Sequence, residues 1–147
     1  DRLTQKLQSP LERKEGVGPR EVKAGVRETL QRNAIFQRNG RDLEEGIKNI
    51  KNIRENMLPG LSCRAKSKKF NLQWVDALEA ENMVDVAEMI LRSALMREES
   101  RGLQEREDFP DPDPKWLRHI ILKKVENRMA FSTEPVTFPY VKPEKEV

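Results

Sequence analysis

From Asn71 to Ser100 the chain runs thirty residues without a proline or a glycine. Apolar or small residues fall on most turns of that run: Leu72, Val75, Leu78, Met83, Val86, Ala87, Ile90, Leu91, Ala94 and Leu95. This spacing specifies one long helix, and it covers more of the helix than a single stripe, which predicts packing partners on two sides. Asn71 suits the N-cap. Acids fill the first half (Asp76, Glu79, Glu81, Asp85, Glu88) with no base between Gln73 and Leu91, the arrangement a helix dipole favours. Gly102 supplies a left-handed stop, with Leu103 placed to fold back on the last turn, so the helix is expected over 71–101.

The exit of this helix breaks the local rules. On that boundary Glu98 and Glu99 sit in the last turn, where a carboxylate is disfavoured by about 0.3–1 kcal/mol. Arg97, Arg101 and Arg106 crowd the same stretch. Either these charges answer to something beyond their own helix, or they form an ordinary solvated cluster.

Composition narrows the fold. Charged residues make up 36% of the 147 and aromatics 5%, too few for a strand-built core, so long amphipathic helices must share one. A net charge of +3 is too balanced to argue for nucleic acid. The single cysteine, Cys63, excludes an internal disulfide and any zinc or iron–sulfur site built from this chain's thiols. No apolar run is long enough to span a membrane and no signal-peptide pattern opens the chain. A start at Asp1 rather than methionine reads as one piece of something larger.

In order, 1–19 reads as a short helical turn broken at Pro10, then a linker through Gly16, Gly18 and Pro19. A first long helix is expected over 20–38 on Val22, Val26, Leu30, Asn33 and Phe36, with Ile35 beside them; Gly25 within it either permits close helix approach or is merely tolerated. Asn39-Gly40 turns the chain. Asp42 can cap a second helix over 42–57, built on Leu43, Ile47, Ile50, Ile53 and Met57 and closed by Pro59-Gly60. The expected fold class is all-α: an antiparallel, up-down-up three-helix bundle over 20–110, resembling a spectrin repeat. Beyond Pro110 a proline-rich extended run leads to a β-hairpin, Trp116–Val125 against Arg128–Val136 across Glu126-Asn127, then an extended arm and a charged end.

Chemistry of its own has little support in this chain. His119 is the only histidine and falls in an expected strand, so neither a catalytic triad nor a multi-histidine metal site can form. No Gly-x-Gly-x-x-Gly loop and no P-loop offers a nucleotide cradle. No catalytic, cofactor-binding or metal-ligating residue is assigned. The basic loop Arg64, Lys66, Lys68, Lys69 could meet phosphate, but without aromatic residues interleaved for stacking it reads as a solvated connection, and a lone loop cysteine beside it as incidental. Three classes remain: a domain of a larger enzyme, a free-standing three-helix interaction module, and a basic RNA-binding domain.

One stretch separates them. Arg97-Glu98-Glu99-Ser100-Arg101-Gly102, then Arg106-Glu107-Asp108-Phe109-Pro110, then Trp116 and His119, resembles the C-terminal region of the succinate dehydrogenase/fumarate reductase flavoprotein family, whose pattern there is roughly R-x-E-S-R-G-x-H-x-R-x-D-x-P followed by W-x-x-H. Lys68-Lys69-Phe70-Asn71 fits that family's entry to the long helix. The related L-aspartate oxidases carry a modified form. One departure is Gln104, where the family has histidine, so no role of that histidine carries over. The resemblance implies a non-catalytic C-terminal domain of an FAD-dependent oxidoreductase, with the flavin and the dicarboxylate chemistry held upstream. The implied partners are the FAD-binding and capping domains of the same flavoprotein and an iron–sulfur subunit, with no nucleic acid and no direct membrane insertion. The implied location is cytoplasmic, peripheral to the inner face of a membrane through partner subunits. Arg97, Glu99, Arg101, Arg106 and Asp108 are then expected to form a charged belt that docks this domain onto the flavin-bearing part.

Overall fold

The structure is a computed structural model and describes residues 2–126 and 128–141. Among these are four α-helices, α1 (Arg2–Glu12), α2 (Pro19–Asn33), α3 (Gly40–Asn52) and α4 (Leu72–Met96). Four strands, β1 (Gln37–Arg38), β2 (Glu105–Arg106), β3 (Arg118–Val125) and β4 (Arg128–Pro135), form two two-stranded ladders. The all-α, three-helix expectation is corrected accordingly: a fourth helix and the short β1–β2 ladder accompany the three long helices, while the C-terminal hairpin is present as expected.

The extra helix is α1, where the sequence reads a short turn and a linker. Pro10 lies inside it and leaves the Lys6 carbonyl without its helical donor. Ser9 Oγ donates to that carbonyl instead, at 3.0 Å, so the proline is accommodated without a break. The helix is tied to the N-terminal half of α4 by Trp74 Nε1, which donates to the Leu7 carbonyl at 2.8 Å. After it, Val17 and Leu61 form a parallel bridge that brings the 58–63 segment beneath α1. Cys63, placed by the sequence in an incidental loop, is fully buried in the core there, its amide donating to the Pro10 carbonyl at 2.8 Å.

α2 begins with Pro19 at its first turn, where a missing amide costs nothing, and buries Val22, Val26, Thr29 and Asn33 at helical spacing. It stops at Asn33, not near Arg38, because Gln37 and Arg38 are drawn into a parallel ladder with Glu105 and Arg106. Ile35 and Phe36, expected on its apolar face, are consequently exposed. α3 is capped by Asn39, whose side-chain oxygen accepts from the Asp42 amide at 2.9 Å; Asp42 itself is not the cap but accepts from Asn39 Nδ2. The expected helix over 42–57 is α-helical only to Asn52, then widens into a π-helical stretch, Ile53–Met57, and a 3-10 turn, Leu58–Gly60. Asn71 caps α4 as the sequence predicts, accepting from the Trp74 amide at 3.1 Å.

The packing follows from small residues. α4 turns Ala77, Ala80, Ala87 and Ala94 inward with Val84 and Leu91. A Cβ on Gly46 of α3 would come within 2.8 Å of the Leu91 side chain and 3.0 Å of Asn33, so only glycine lets these three helices meet at this depth. A Cβ on Gly25 would lie an ordinary 3.4 Å from the Ile53 side chain, so Gly25 is not the point of closest approach. Asn33 opposite Gly46 and Gly25 opposite Ile53 set α2 and α3 in opposite directions, as Gly40 near Leu95 and Gly46 near Leu91 do for α3 and α4.

β3 and β4 pair antiparallel from Arg118↔Pro135 to Val125↔Arg128, the hairpin the sequence reads, except that Trp116 ends a 3-10 turn (Pro114–Trp116) and the first strand begins only at Arg118. Residue 127 of the expected turn, Asp1 and the charged end over 142–147 lie outside the described residues. Among the described residues no helix is long and apolar enough to cross a membrane.

Candidate functional site: a charged junction at the end of the long helix

α4 ends at Met96, with Arg97 extended at its C-cap, five residues before the expected stop. Glu98 and Glu99 therefore lie beyond the helix, and the dipole conflict expected of them does not arise. Gly102 is left-handed, φ 60°, but it serves a tight turn in which Arg101 and Gln104 exchange backbone hydrogen bonds of 2.8 and 3.0 Å. Leu103, at the tip of that turn, is exposed and does not fold back on the helix.

The helix ends early because a side chain takes over its last carbonyls. Arg106, 2% exposed, donates through Nη1 to the carbonyls of Ala94, Leu95 and Arg97 at 2.9, 3.1 and 2.9 Å. Its Nε and Nη2 meet Asp108 in a two-pronged pair at 2.7 and 2.8 Å. The guanidinium also stacks over the Phe109 ring, 5.0 Å from its centroid. Asp108 in turn accepts from the Gly40 amide at 2.8 Å, the first residue of α3. A cation thus sits at the negative end of α4 and an anion at the positive end of α3, each where the dipole favours it. The Arg106 hydrogen bonds, helped by the Gly40 amide and opposed by burial, lower the Asp108 pKa from 3.8 to about 2.

A second cluster sits beside the first. Glu99 is fully buried (0% exposed) and accepts from Arg97 at 2.5 Å, from Arg101 at 3.0–3.1 Å and from the Asp113 amide at 2.9 Å. Burial alone would raise its pKa; the bonds from Arg101, the Asp113 amide and Arg97 outweigh that and hold it below the ordinary carboxylate value. Arg97 reaches on to the carbonyls of Trp116 and Arg118 at 2.9 and 2.7 Å and lies over the Trp116 ring, 5.2 Å from its centroid. It therefore clamps the base of the hairpin to the end of α4. Ser100 joins the clusters: its hydroxyl accepts from the Arg106 amide and donates to the Phe109 carbonyl, both at 2.8 Å.

A family model described as "Fumarate reductase flavoprotein C-term" matches residues 23–147, which takes in both clusters and the hairpin they hold. The chain belongs to this family. It is similar to a polypeptide of the fumarate reductase (CoM/CoB) of Methanothermobacter marburgensis, 35% identical over 108 residues, covering 74% of this chain and 19% of the relative. It is also similar to the succinate dehydrogenase flavoprotein subunit of Rickettsia bellii, 33% identical over 119 residues, covering 80% of this chain and 20% of the relative. The chain thus spans about a fifth of the length of the curated relatives it matches. The fold recurs in the E. coli quinol fumarate reductase FrdA (TM-score 0.86, 19% identity, covering 98% of this chain and 25% of that one). It recurs likewise in the Mycobacterium smegmatis Sdh1 complex in the apo form (TM-score 0.86, 20% identity, 95% and 24%).

The family pattern read from the sequence is, in three dimensions, one junction. Arg97, Glu99 and Arg101 form one cluster and Arg106 with Asp108 the other, with Arg97, Arg101 and Asp108 reaching the surface over buried Glu99 and Arg106. His119 stands apart, exposed on β3. Gln104, at the histidine position of the pattern, accepts from Arg38 Nη1 and donates to the Ala94 carbonyl at 3.3 Å, so it ties β1 to the end of α4. Sequence reasoning read Gly40 only as a turn and Ser100 only as part of the motif, gave neither a role in the clusters, and missed Asp113. They act through backbone atoms or a small hydroxyl, and nothing in their identity signals a carboxylate 68 residues away, as at Gly40 and Asp108.

Proposed function

We propose that this chain is the non-catalytic C-terminal domain of an FAD-dependent flavoprotein that interconverts succinate and fumarate, and that it packs on the flavin-bearing and capping domains of the same polypeptide. The family match, together with the two charge clusters that the family's motif residues build, carries this reading. The flavin supplies the electron chemistry in the parent; no residue of this chain is assigned to it. In the proposed division, 1–19 is the connection from the preceding domain, with α1 braced on α4. Residues 20–110 hold α2, α3 and α4 as an up-down-up unit, and 111–147 form the hairpin and tail.

Arg97, Glu99, Arg101, Arg106 and Asp108 are the docking belt in this reading. Arg97, Arg101 and Asp108 meet the flavin-bearing body, while Glu99 and Arg106 fix their positions from beneath. An iron–sulfur subunit is the further partner, and it places the parent peripherally at the inner face of a membrane. The test is the full-length protein bearing Arg101→Glu. Lower flavin content and a lower melting temperature with succinate oxidation impaired is the expected result; unchanged flavin content and thermal stability would overturn the docking role. Absence of flavin from the unaltered full-length protein would overturn the family-level activity.

A further inference from the structure

Outside its buried stripe, and edged by α2 at Glu79, α4 carries Leu72, Val75, Glu79, Asn82, Val86, Ile90 and Ser93 at steps of three and four residues, with Met89 alongside. Leu72 is 77% exposed, Val86 51% and Ile90 41%. Glu79 is the single charge among these residues, its carboxylate held by Lys23 at 2.7 Å; Asp85 and Arg92, which border the strip, are paired with Arg54 and Glu88 at 2.6 and 2.7 Å. In a chain with 36% charged residues, the outer side of a 25-residue helix would ordinarily be the most charged surface available. Phe70, immediately before the N-cap, is fully exposed with its backbone in the left-handed region at φ 52°, an arrangement that no described residue packs against.

We infer that this outward face of α4, from Phe70 to Ser93, is a second surface, besides the charged belt, on which the rest of the parent polypeptide sits, presenting an apolar and uncharged surface of its own. The inference rests on the proposed family reading and locates the contact away from the charged belt. Size chooses the occupant. From Leu72 to Ile90 the strip is about 27 Å long and one helix wide, on the order of 300 Å². That is well short of the roughly 800 Å² per partner that a stable association of separate molecules uses, which argues against a second copy of this chain. A covalently joined domain needs less, because its effective concentration is fixed by the connection. The relatives of which this chain covers 19% and 20% have that additional length to offer.

Cysteine accessibility in the full-length flavoprotein tests this. Asn82→Cys and Ser93→Cys put thiols on the face, the second by an almost isosteric change that protects the fold. Glu28→Cys and Glu44→Cys place references on exposed positions of α2 and α3. The native Cys63, fully buried, gives the slow background. With a maleimide probe, Asn82→Cys and Ser93→Cys are expected to react at least tenfold more slowly than the references, by an amount unchanged on hundredfold dilution of the protein. Reaction at the reference rate would overturn the inference, as would protection that disappears on dilution, which would assign the face to a second copy. Flavin absorbance of the same samples separates the two proposals: protected thiols without flavin leave the covered face standing and sink the family-level activity instead.

Discussion

Arg106 and Asp108 join the last carbonyls of α4 to the first amide of α3: one guanidinium donates to Ala94, Leu95 and Arg97, and the carboxylate it grips accepts from Gly40. Removing the cation strands a carboxylate and three carbonyls at once. Arg106→Met is therefore expected to destabilise the domain by about 2–4 kcal/mol, lowering its melting temperature by roughly 5–15 °C. Arg106→Lys should recover only a minor part, since an ammonium cannot make the two-pronged pair and reach the carbonyls together. Thermal unfolding of both variants followed by circular dichroism measures the effect.

The acid limb of stability belongs in part to Asp108. Its pKa is depressed from 3.8 to about 2 in the folded protein, so the stability it confers is fully present above pH 3.8 and is lost as pH falls towards 2. Glu99, also lowered, acts in the same direction. Urea midpoints measured across this window should fall less steeply for Asp108→Asn than for the unaltered chain, and the variant should be weaker at neutral pH.

Glycines at two positions should respond in opposite ways. Gly46→Ala forces a methyl to 2.8 Å from Leu91 and 3.0 Å from Asn33, an overpacked contact expected to cost about 1–3 kcal/mol. Gly25→Ala adds its methyl at an ordinary 3.4 Å from Ile53 and gains helix propensity, with an expected stabilisation of about 0.5–1 kcal/mol. Chemical denaturation of the two single variants decides it.

Gln104→His restores the residue found in the family pattern and puts a titratable ring against Arg38. The neighbouring cation should depress the histidine pKa in the folded state. Stability would then be unaffected at pH 8 and would decline as pH falls through and below about 6.5, the ordinary histidine value. A pH series of melting temperatures, with the unaltered chain as reference, shows whether this slope appears.

Much of this architecture is legible in the residues themselves. The existence of the long α4, its Asn71 cap, the hairpin and the motif from Arg97 to Pro110 follow from spacing and residue type. The buried lining of α4 does not: Ala77, Ala80 and Val84 face the core with Ala87, Leu91 and Ala94, while Leu72, Val75, Val86 and Ile90, expected on packed turns, are exposed. Nor do long-range backbone demands. α2 stops at Asn33 because Gln37 and Arg38 pair with a strand 68 residues further on, and no local signal reports that pairing. α4 stops at Met96 because Arg106, not Gly102, satisfies its carbonyls. α1 survives Pro10 because Ser9 supplies the missing donor, a compensation that propensity alone does not register. The expectation of two flanks for α4 holds on the inner side, where α2 and α3 lie against it.

The Gly40–Asp108 hydrogen bond has a consequence for biosynthesis. α3 emerges from the ribosome well before the carboxylate that completes its first turn, 68 residues later. The early helices must wait, incompletely capped, until the motif beyond α4 has been made, and a closure over so long a loop slows folding relative to the local helices themselves. Nascent chains halted before Asp108 should remain protease-sensitive across α3, and chains extended past it should gain resistance in one step.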